Sequence, residues 1–216
     1  MKYQAVLFDL DGTLLNTLQD LANSVNASLG YLGFPTHKTE AYKYFIGDGR
    51  EEMARRALPA ANRDPATLGK LVEYINREYV RHWADNTRPY AGIAEMLDAI
   101  TRNGTRIAIL SNKPYDFTES MVSRLLSPWH FEVVAGAMPG VPIKPDPTAA
   151  LMIARKLDIP PAGFLYLGDS DIDMRTAVAA GMYPVGAVWG FRTEDELKAA
   201  GAKSLIKYPT EILSLL

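Results

Sequence analysis

Between Pro89 and the C-terminus, short apolar runs alternate with segments of helical periodicity. Strands are expected at 105–110, 131–135, 163–168, 183–188 and 204–206. Helices are expected at 92–103, 115–127, 147–157, 172–180 and 193–200, with one more at the C-terminus. A further apolar run at 3–9 (YQAVLFD) reads as a buried strand near the start of the chain. Strands separated by helices need crossover connections, so the sheet is parallel and covered on both faces. The expected fold class is α/β, a Rossmann-like doubly wound parallel sheet.

Residues 16–85 break this pattern, because nothing in them alternates like a strand. Leu18, Leu21, Val25, Leu29 and Leu32 form a helical stripe in 17–33, with Thr17 as candidate cap and Asp20 three positions on. A helix over 39–45, a Gly47-Asp48-Gly49 break, a helix to residue 58 and a long helix over 65–84 follow. The segment 85–89 (DNTRP) reads as a linker. The expected organisation is a core of 1–15 and 86–216, with 16–85 inserted as a small α-helical cap. An insertion directly after a strand lies over the sheet edge where open α/β folds bind ligands, so it is placed to act as a lid.

Composition removes several kinds of chemistry. Cysteine is absent, which excludes thiol catalysis, Cys-ligated zinc, iron–sulfur clusters and disulfides. The three histidines, His37, His82 and His130, are not spaced as a metal pair. With 23 basic against 25 acidic residues and no basic cluster interleaved with aromatics, a nucleic-acid partner is not expected. No apolar run is long enough to span a bilayer, and the start MKYQAVLFDLDGTLL does not resemble a signal peptide. The expectation is a cytoplasmic protein, monomer or homodimer, without a membrane partner.

The acids are where chemistry concentrates. Asp9 and Asp11 follow the first strand, and on a continuing alternation they face the same way. Two such carboxylates can hold Mg²⁺, attack as a nucleophile, or serve as acid and base, although Asp-Gly is also an ordinary turn. Asp169, Asp171 and Asp173 crowd the next strand-to-helix junction. N-capping by Ser170 or Asp171 explains one acid and leaves the cluster unexplained. Ser111 and Asn112 end a strand before a helix, where a hydroxyl and backbone N–H groups can hold phosphate or merely cap. Lys144, stiffened by flanking prolines, can neutralise a phosphoryl group or a crowded aspartate, or sit in solvent. All four signals fall at the C-terminal edge of the expected sheet. Together they suit a phosphate with Mg²⁺, and no P-loop or G-x-G-x-x-G is present to suggest a nucleotide fold.

FDLDGT at 8–13, LSNK at 110–113, Lys144 and LGDSDID at 167–173 resemble, in order, the four motifs of the haloacid dehalogenase-like phosphatases. The cap segments FIGDG at 45–49 and ARRAL at 54–58, with RPYAGI at 88–93 and GVPIKPDP at 140–147, are similar to phosphoglycolate phosphatases and their close relatives. The resemblance implies that Asp9 is the nucleophile and Asp11 the acid and base. It implies Mg²⁺ on Asp9, Asp11 (through its backbone carbonyl) and Asp169, with Asp173 behind them. It further implies that Gly12, Thr13, Ser111 and Asn112 hold the phosphoryl group, and that Lys144 offsets the charge of Asp9. In the cap, Gly47, Asp48 and Gly49 would approach the leaving group, and Arg50 would pair with a substrate carboxylate or simply face solvent.

The leading expectation is therefore a Mg²⁺-dependent phosphatase of a small phosphorylated metabolite. A carboxylate at position 11 favours phosphoryl transfer over dehalogenation, which needs no acid for a leaving alkoxide. A phosphomutase and an inorganic pyrophosphatase are alternatives on the same scaffold, and a non-catalytic binding protein is the alternative of another kind.

Overall fold

The computed structural model describes residues 3–216. In chain order it runs β1 (Ala5–Phe8), β2 (Leu15–Asn16), α1 (Leu18–Tyr31), α2 (Tyr42–Phe45), α3 (Arg50–Ala57), α4 (Pro65–His82), β3 (Arg88–Pro89), α5 (Ile93–Arg102), β4 (Arg106–Pro114), α6 (Tyr115–Leu125), β5 (Val133–Ala137), α7 (Thr148–Lys156), β6 (Phe164–Gly168), α8 (Asp171–Ala180), β7 (Tyr183–Ala187), α9 (Glu194–Ala199) and β8 (Ser204–Ile206). The C-terminal segment Pro209–Ser214 is a 3₁₀ helix rather than an α-helix. The chain divides into two compact units, Met1–Leu15 with Pro89–Leu216, and Asn16–Arg88.

The first unit is built on a six-stranded sheet ordered β5-β4-β1-β6-β7-β8, with every neighbouring pair parallel. β1 and β6 are apolar on both faces and fully buried, as strands covered by helices on two sides must be. Beneath the sheet, Leu7, Tyr166, Ile153, Leu157 and Met182 belong to one continuous core. The chain first winds from β1 outward through β4 to β5, then returns to β6 on the other side of β1. That reversal leaves a crevice at the C-terminal ends of β1 and β6. Their register is fixed there by Phe8 opposite Leu167 and by the Asp9 N–H donating to the Leu167 carbonyl at 2.9 Å.

Two strands differ usefully from expectation. β5 starts two residues later than the apolar pattern suggests. β4 runs through Ser111, Asn112 and Lys113 to Pro114, so these three residues extend the strand instead of turning into a helix. The extended backbone persists because the Ser111 hydroxyl accepts the Lys113 N–H at 3.2 Å and the Asn112 side chain is tied to another segment.

In the second unit α1 packs along α4. α4 starts where Asp64 caps the N–H groups of Ala66 and Thr67 and Pro65 takes the first helical position. It buries Leu68, Leu71, Ile75 and Tyr79 on one stripe. Thr17 does not cap α1. Its hydroxyl is buried without a hydrogen-bond partner. Asp20 does the larger job: its carboxylate accepts the backbone N–H groups of Asn86 and Thr87, the Asn86 amide and the Thr87 hydroxyl, all within 3.0 Å. The two ends of the unit are thereby clamped together. Asp20→Ala leaves these donors unpaired and is expected to cost about 3 kcal/mol. Thr17→Val removes only an unpartnered hydroxyl and should change stability by less than about 1 kcal/mol. Urea unfolding of both variants checks the contrast.

Candidate active site

β1 ends at Phe8 and delivers Asp9, while β6 ends at Gly168 and delivers Asp169. α8 then begins with a capping box. Ser170 accepts the Asp173 N–H, and Asp173 accepts the Ser170 N–H at 3.1 Å and its hydroxyl at 2.5 Å. The capping that sequence offered as a bland explanation therefore does explain Asp173, but the box spends only one oxygen. The other, Oδ1, accepts from Lys144 at 2.6 Å.

Lys144 is the hub. Its Nζ donates to Asp9 Oδ1 at 2.8 Å, to Asp173 Oδ1 at 2.6 Å and to the Leu110 carbonyl at 3.1 Å, and the side chain is 3% exposed. Asn112 fixes the backbone that carries it. The Asn112 amide accepts the Lys144 N–H at 2.8 Å and donates to the Lys144 carbonyl at 2.9 Å. The Asn112 side chain is thereby tied to the Lys144 backbone.

Asp169 is held by the Thr13 hydroxyl at 3.0 Å and the Phe191 N–H at 2.7 Å. Thr13 is fully buried, and its carbonyl accepts the Trp189 indole N–H at 3.0 Å. Thr13 thus helps to orient Asp169. Gly12 donates its N–H to the Leu15 carbonyl at 2.8 Å, so that donor is also spent within the loop. Gly12 (φ +88°) and Gly190 both lie so close to Asp169 that a Cβ on either would collide with its carboxylate. The Trp189-Gly190-Phe191 loop after β7 belongs to VWGFRT at 188–193, a stretch similar to one that the family uses near its site, whereas Tyr90 and Tyr166 were not singled out as site residues. The Tyr166 hydroxyl reaches Asp173 at 3.5 Å. The best signal for the loop is a Gly between two aromatics at the end of a strand.

Burial sets the electrostatics. Asp9 is pushed well above the usual carboxylate range by desolvation and then by Asp173, with Lys144 opposing. Asp169 is pushed up to about 7 by burial and Asp173, against the hydrogen bonds from Phe191 and Thr13. Burial works to discharge Lys144, but Asp173 and Asp9 outweigh it and raise its pKa. The Tyr90 phenol is raised by burial and then by the charges of Asp169 and Asp11, so it stays neutral.

Asp9, Asp169 and Asp173 each offer an oxygen, and these atoms lie within 4.8 Å of one another. Three carboxylates against one ammonium leave two negative charges unbalanced, and the donors are all hard oxygens, so the set fits a divalent cation. Asp11 has its carboxylate outside this trio, paired through both oxygens with Lys113 Nζ at 3.0 Å. Gly190→Ala should displace Asp169 and weaken divalent-cation binding by about 10–100-fold, read by calorimetry. Unchanged affinity would mean that Asp169 does not bind the ion.

The second unit holds the remaining candidates. Gly47 and Gly49 take positive φ (126° and 86°), the backbone shapes the Gly-Asp-Gly break implied. Asp48 pairs with Arg56 within this unit, so its carboxylate is already occupied. Arg50 donates to the Asn76 side chain at 2.6 Å, and its Nε is buried with no hydrogen-bond partner.

Among the described residues no helix is long and apolar enough to cross a membrane. Residues 6–187 match the model of the haloacid dehalogenase-like hydrolase family. The phosphoglycolate phosphatase of Thiobacillus denitrificans is 33% identical over 82% of this chain and 80% of its own length. The N-acetylmuramic acid 6-phosphate phosphatase of Pseudomonas aeruginosa is 30% identical over the whole of this chain and 96% of its own. A crystal structure from Lactobacillus delbrueckii subsp. bulgaricus, named as a candidate phosphoglycolate phosphatase, superposes with a TM-score of 0.93. It is 26% identical and covers 100% of this chain and 98% of its own. An acid-lined crevice at the β1/β6 reversal, the ordered motifs that build it and these likenesses agree: the chain belongs to the haloacid dehalogenase-like hydrolases, in their phosphatase branch.

Proposed function

We propose that the protein is a Mg²⁺-dependent phosphatase that hydrolyses a small phosphate monoester through an aspartyl-phosphate on Asp9. The observation that carries this reading is the Lys144 hub. An ammonium holds Asp9 by one oxygen and leaves the other oxygen of a buried, dehydrated carboxylate for attack.

Asp9, Asp169 and the Asp11 carbonyl would hold Mg²⁺, with Asp173 behind them. When bound, the ion supplies the positive charge that lets a dianionic phosphate approach carboxylates. Asp9 attacks phosphorus in line, and the bond to the ester oxygen breaks. That oxygen takes its proton from the Asp11 carboxyl and departs as an alcohol. Asp11, now a carboxylate, takes a proton from water as the remaining hydroxide adds to phosphorus. Asp9 is freed, phosphate leaves, and Asp11 is again protonated for the next turnover. Ser111 is assigned to the phosphoryl oxygens.

The relatives' names describe substrates that carry a carboxylate beside the phosphate. The same class is proposed here, with the Arg50 guanidinium, whose forked donors suit a carboxylate, as the contact. The match along the whole length of the N-acetylmuramic acid 6-phosphate phosphatase favours a sugar-acid phosphate as the second reading over phosphoglycolate alone. A panel of phosphoglycolate, N-acetylmuramic acid 6-phosphate, hexose phosphates and pyrophosphate, with and without Mg²⁺, tests the proposal. The expected result is Mg²⁺-dependent phosphate release with highest kcat/KM on a carboxylated ester. Arg50→Ala is expected to raise KM for that ester about tenfold relative to p-nitrophenyl phosphate. Preference for pyrophosphate, or transfer to a sugar instead of water, contradicts the reading.

A further inference from the structure

Beside the Lys144 hub stands a second buried ion pair that no step above uses. The Lys113 ammonium lies 3.0 Å from each oxygen of Asp11, with the lysine side chain 4% and the aspartate 11% exposed. Such a pair is expensive to bury, and an ammonium shared by both oxygens fixes where a carboxylate sits and which way it faces. Lys113 reaches it from the extended end of β4, whose backbone is pinned by Ser111 and by the Asn112–Lys144 tie. The charge is thus carried on a rigid element instead of a loop.

We propose that Lys113 is the positioning residue for Asp11: from the pinned end of β4 it holds the carboxyl group where the leaving oxygen must meet it. The inference rests on the reading of Asp11 as proton donor. In that step the Asp9 oxygen–phosphorus bond forms and the bond from phosphorus to the ester oxygen breaks. The freed electron pair takes the proton of Asp11, whose carboxyl group must lie within hydrogen-bond reach of that oxygen.

The test exploits leaving groups. kcat/KM covers events up to the first phosphoryl transfer. An alkyl phosphate needs the proton then, whereas p-nitrophenolate leaves without it. Lys113→Met is expected to lower kcat/KM for the best alkyl phosphate about 100-fold while lowering that for p-nitrophenyl phosphate less than about threefold. Lys113→Arg, which keeps the charge and a forked donor, should restore most of the alkyl activity. If Lys113→Met does not fold, Lys113→Gln carries the same comparison, since it keeps a donor but no charge. Equal loss on both esters assigns Lys113 to the phosphoryl group or to general structure, and no loss on either makes it idle. Both results overturn the proposal. A wild-type protein inert on both esters overturns the proposed function itself, so the two failures are distinguishable.

Discussion

Asp9→Asn is expected to remove phosphate release by at least about 10⁴-fold with every ester, because an amide cannot make the attack that opens the reaction. The substitution is nearly isosteric at a position 7% exposed, so loss of fold is not the cause. It also removes a charge from a crowded trio. Burial and Asp173 push Asp9 toward protonation, and the neutral amide relieves that repulsion. The variant should therefore unfold at a temperature no lower than the wild type in the absence of added cation, while turning over nothing. Activity lost with stability kept separates a reacting group from a structural one. A protein that keeps wild-type rates after this change has its nucleophile elsewhere.

Lys144→Met has the opposite signature. It leaves Asp9, Asp169 and Asp173 facing one another with no buried ammonium among them. Breaking a buried pair on one side costs about 3–5 kcal/mol, which for a chain of this size lowers Tm by about 10 °C. Turnover should fall at least about 10³-fold, since the charge that steadies Asp9 is gone. Lys144→Met combined with Asp173→Asn removes one charge of each sign and should recover much of the stability but little of the activity. Thermal melts of the single and double variants, with phosphate release measured on the same samples, give the comparison. If the double variant is as unstable as the single, the charge account of this cluster is wrong and shape complementarity holds Lys144 instead.

The sheet and its reading direction were legible because fully buried parallel strands leave continuous apolar runs such as AVLF and FLYLG, and acids follow two of them. Asp9, Asp169, Asp173 and Lys144 meet as the motif resemblance implied they would. What each neighbour does was harder to read. In the folded chain the Thr13 hydroxyl is tied to Asp169, the Asn112 side chain to the Lys144 backbone and the Gly12 N–H to the Leu15 carbonyl. The first two of these span 156 and 32 positions and leave no local signal. Asp20 was misread for a related reason: at the third position of a helix it resembles ordinary first-turn chemistry, whereas its partners lie 66 and 67 residues away. Lys113 was visible in LSNK, but its role depends on β4 continuing past the apolar run. That continuation is set by side-chain ties from Ser111 and Asn112, not by hydrophobic periodicity.

The most direct test of the account is to look for the phosphorylated nucleophile. Asp11→Asn slows the water step but still allows attack on p-nitrophenyl phosphate, so the covalent species should accumulate. Rapid acid quench followed by mass spectrometry is expected to find one phosphoryl group per chain, on the peptide containing Asp9. The Asp9→Asn, Asp11→Asn double variant should carry none. A wild-type enzyme that turns over while neither it nor Asp11→Asn ever carries phosphate, or a phosphoryl group found on another residue, would contradict an aspartyl-phosphate on Asp9.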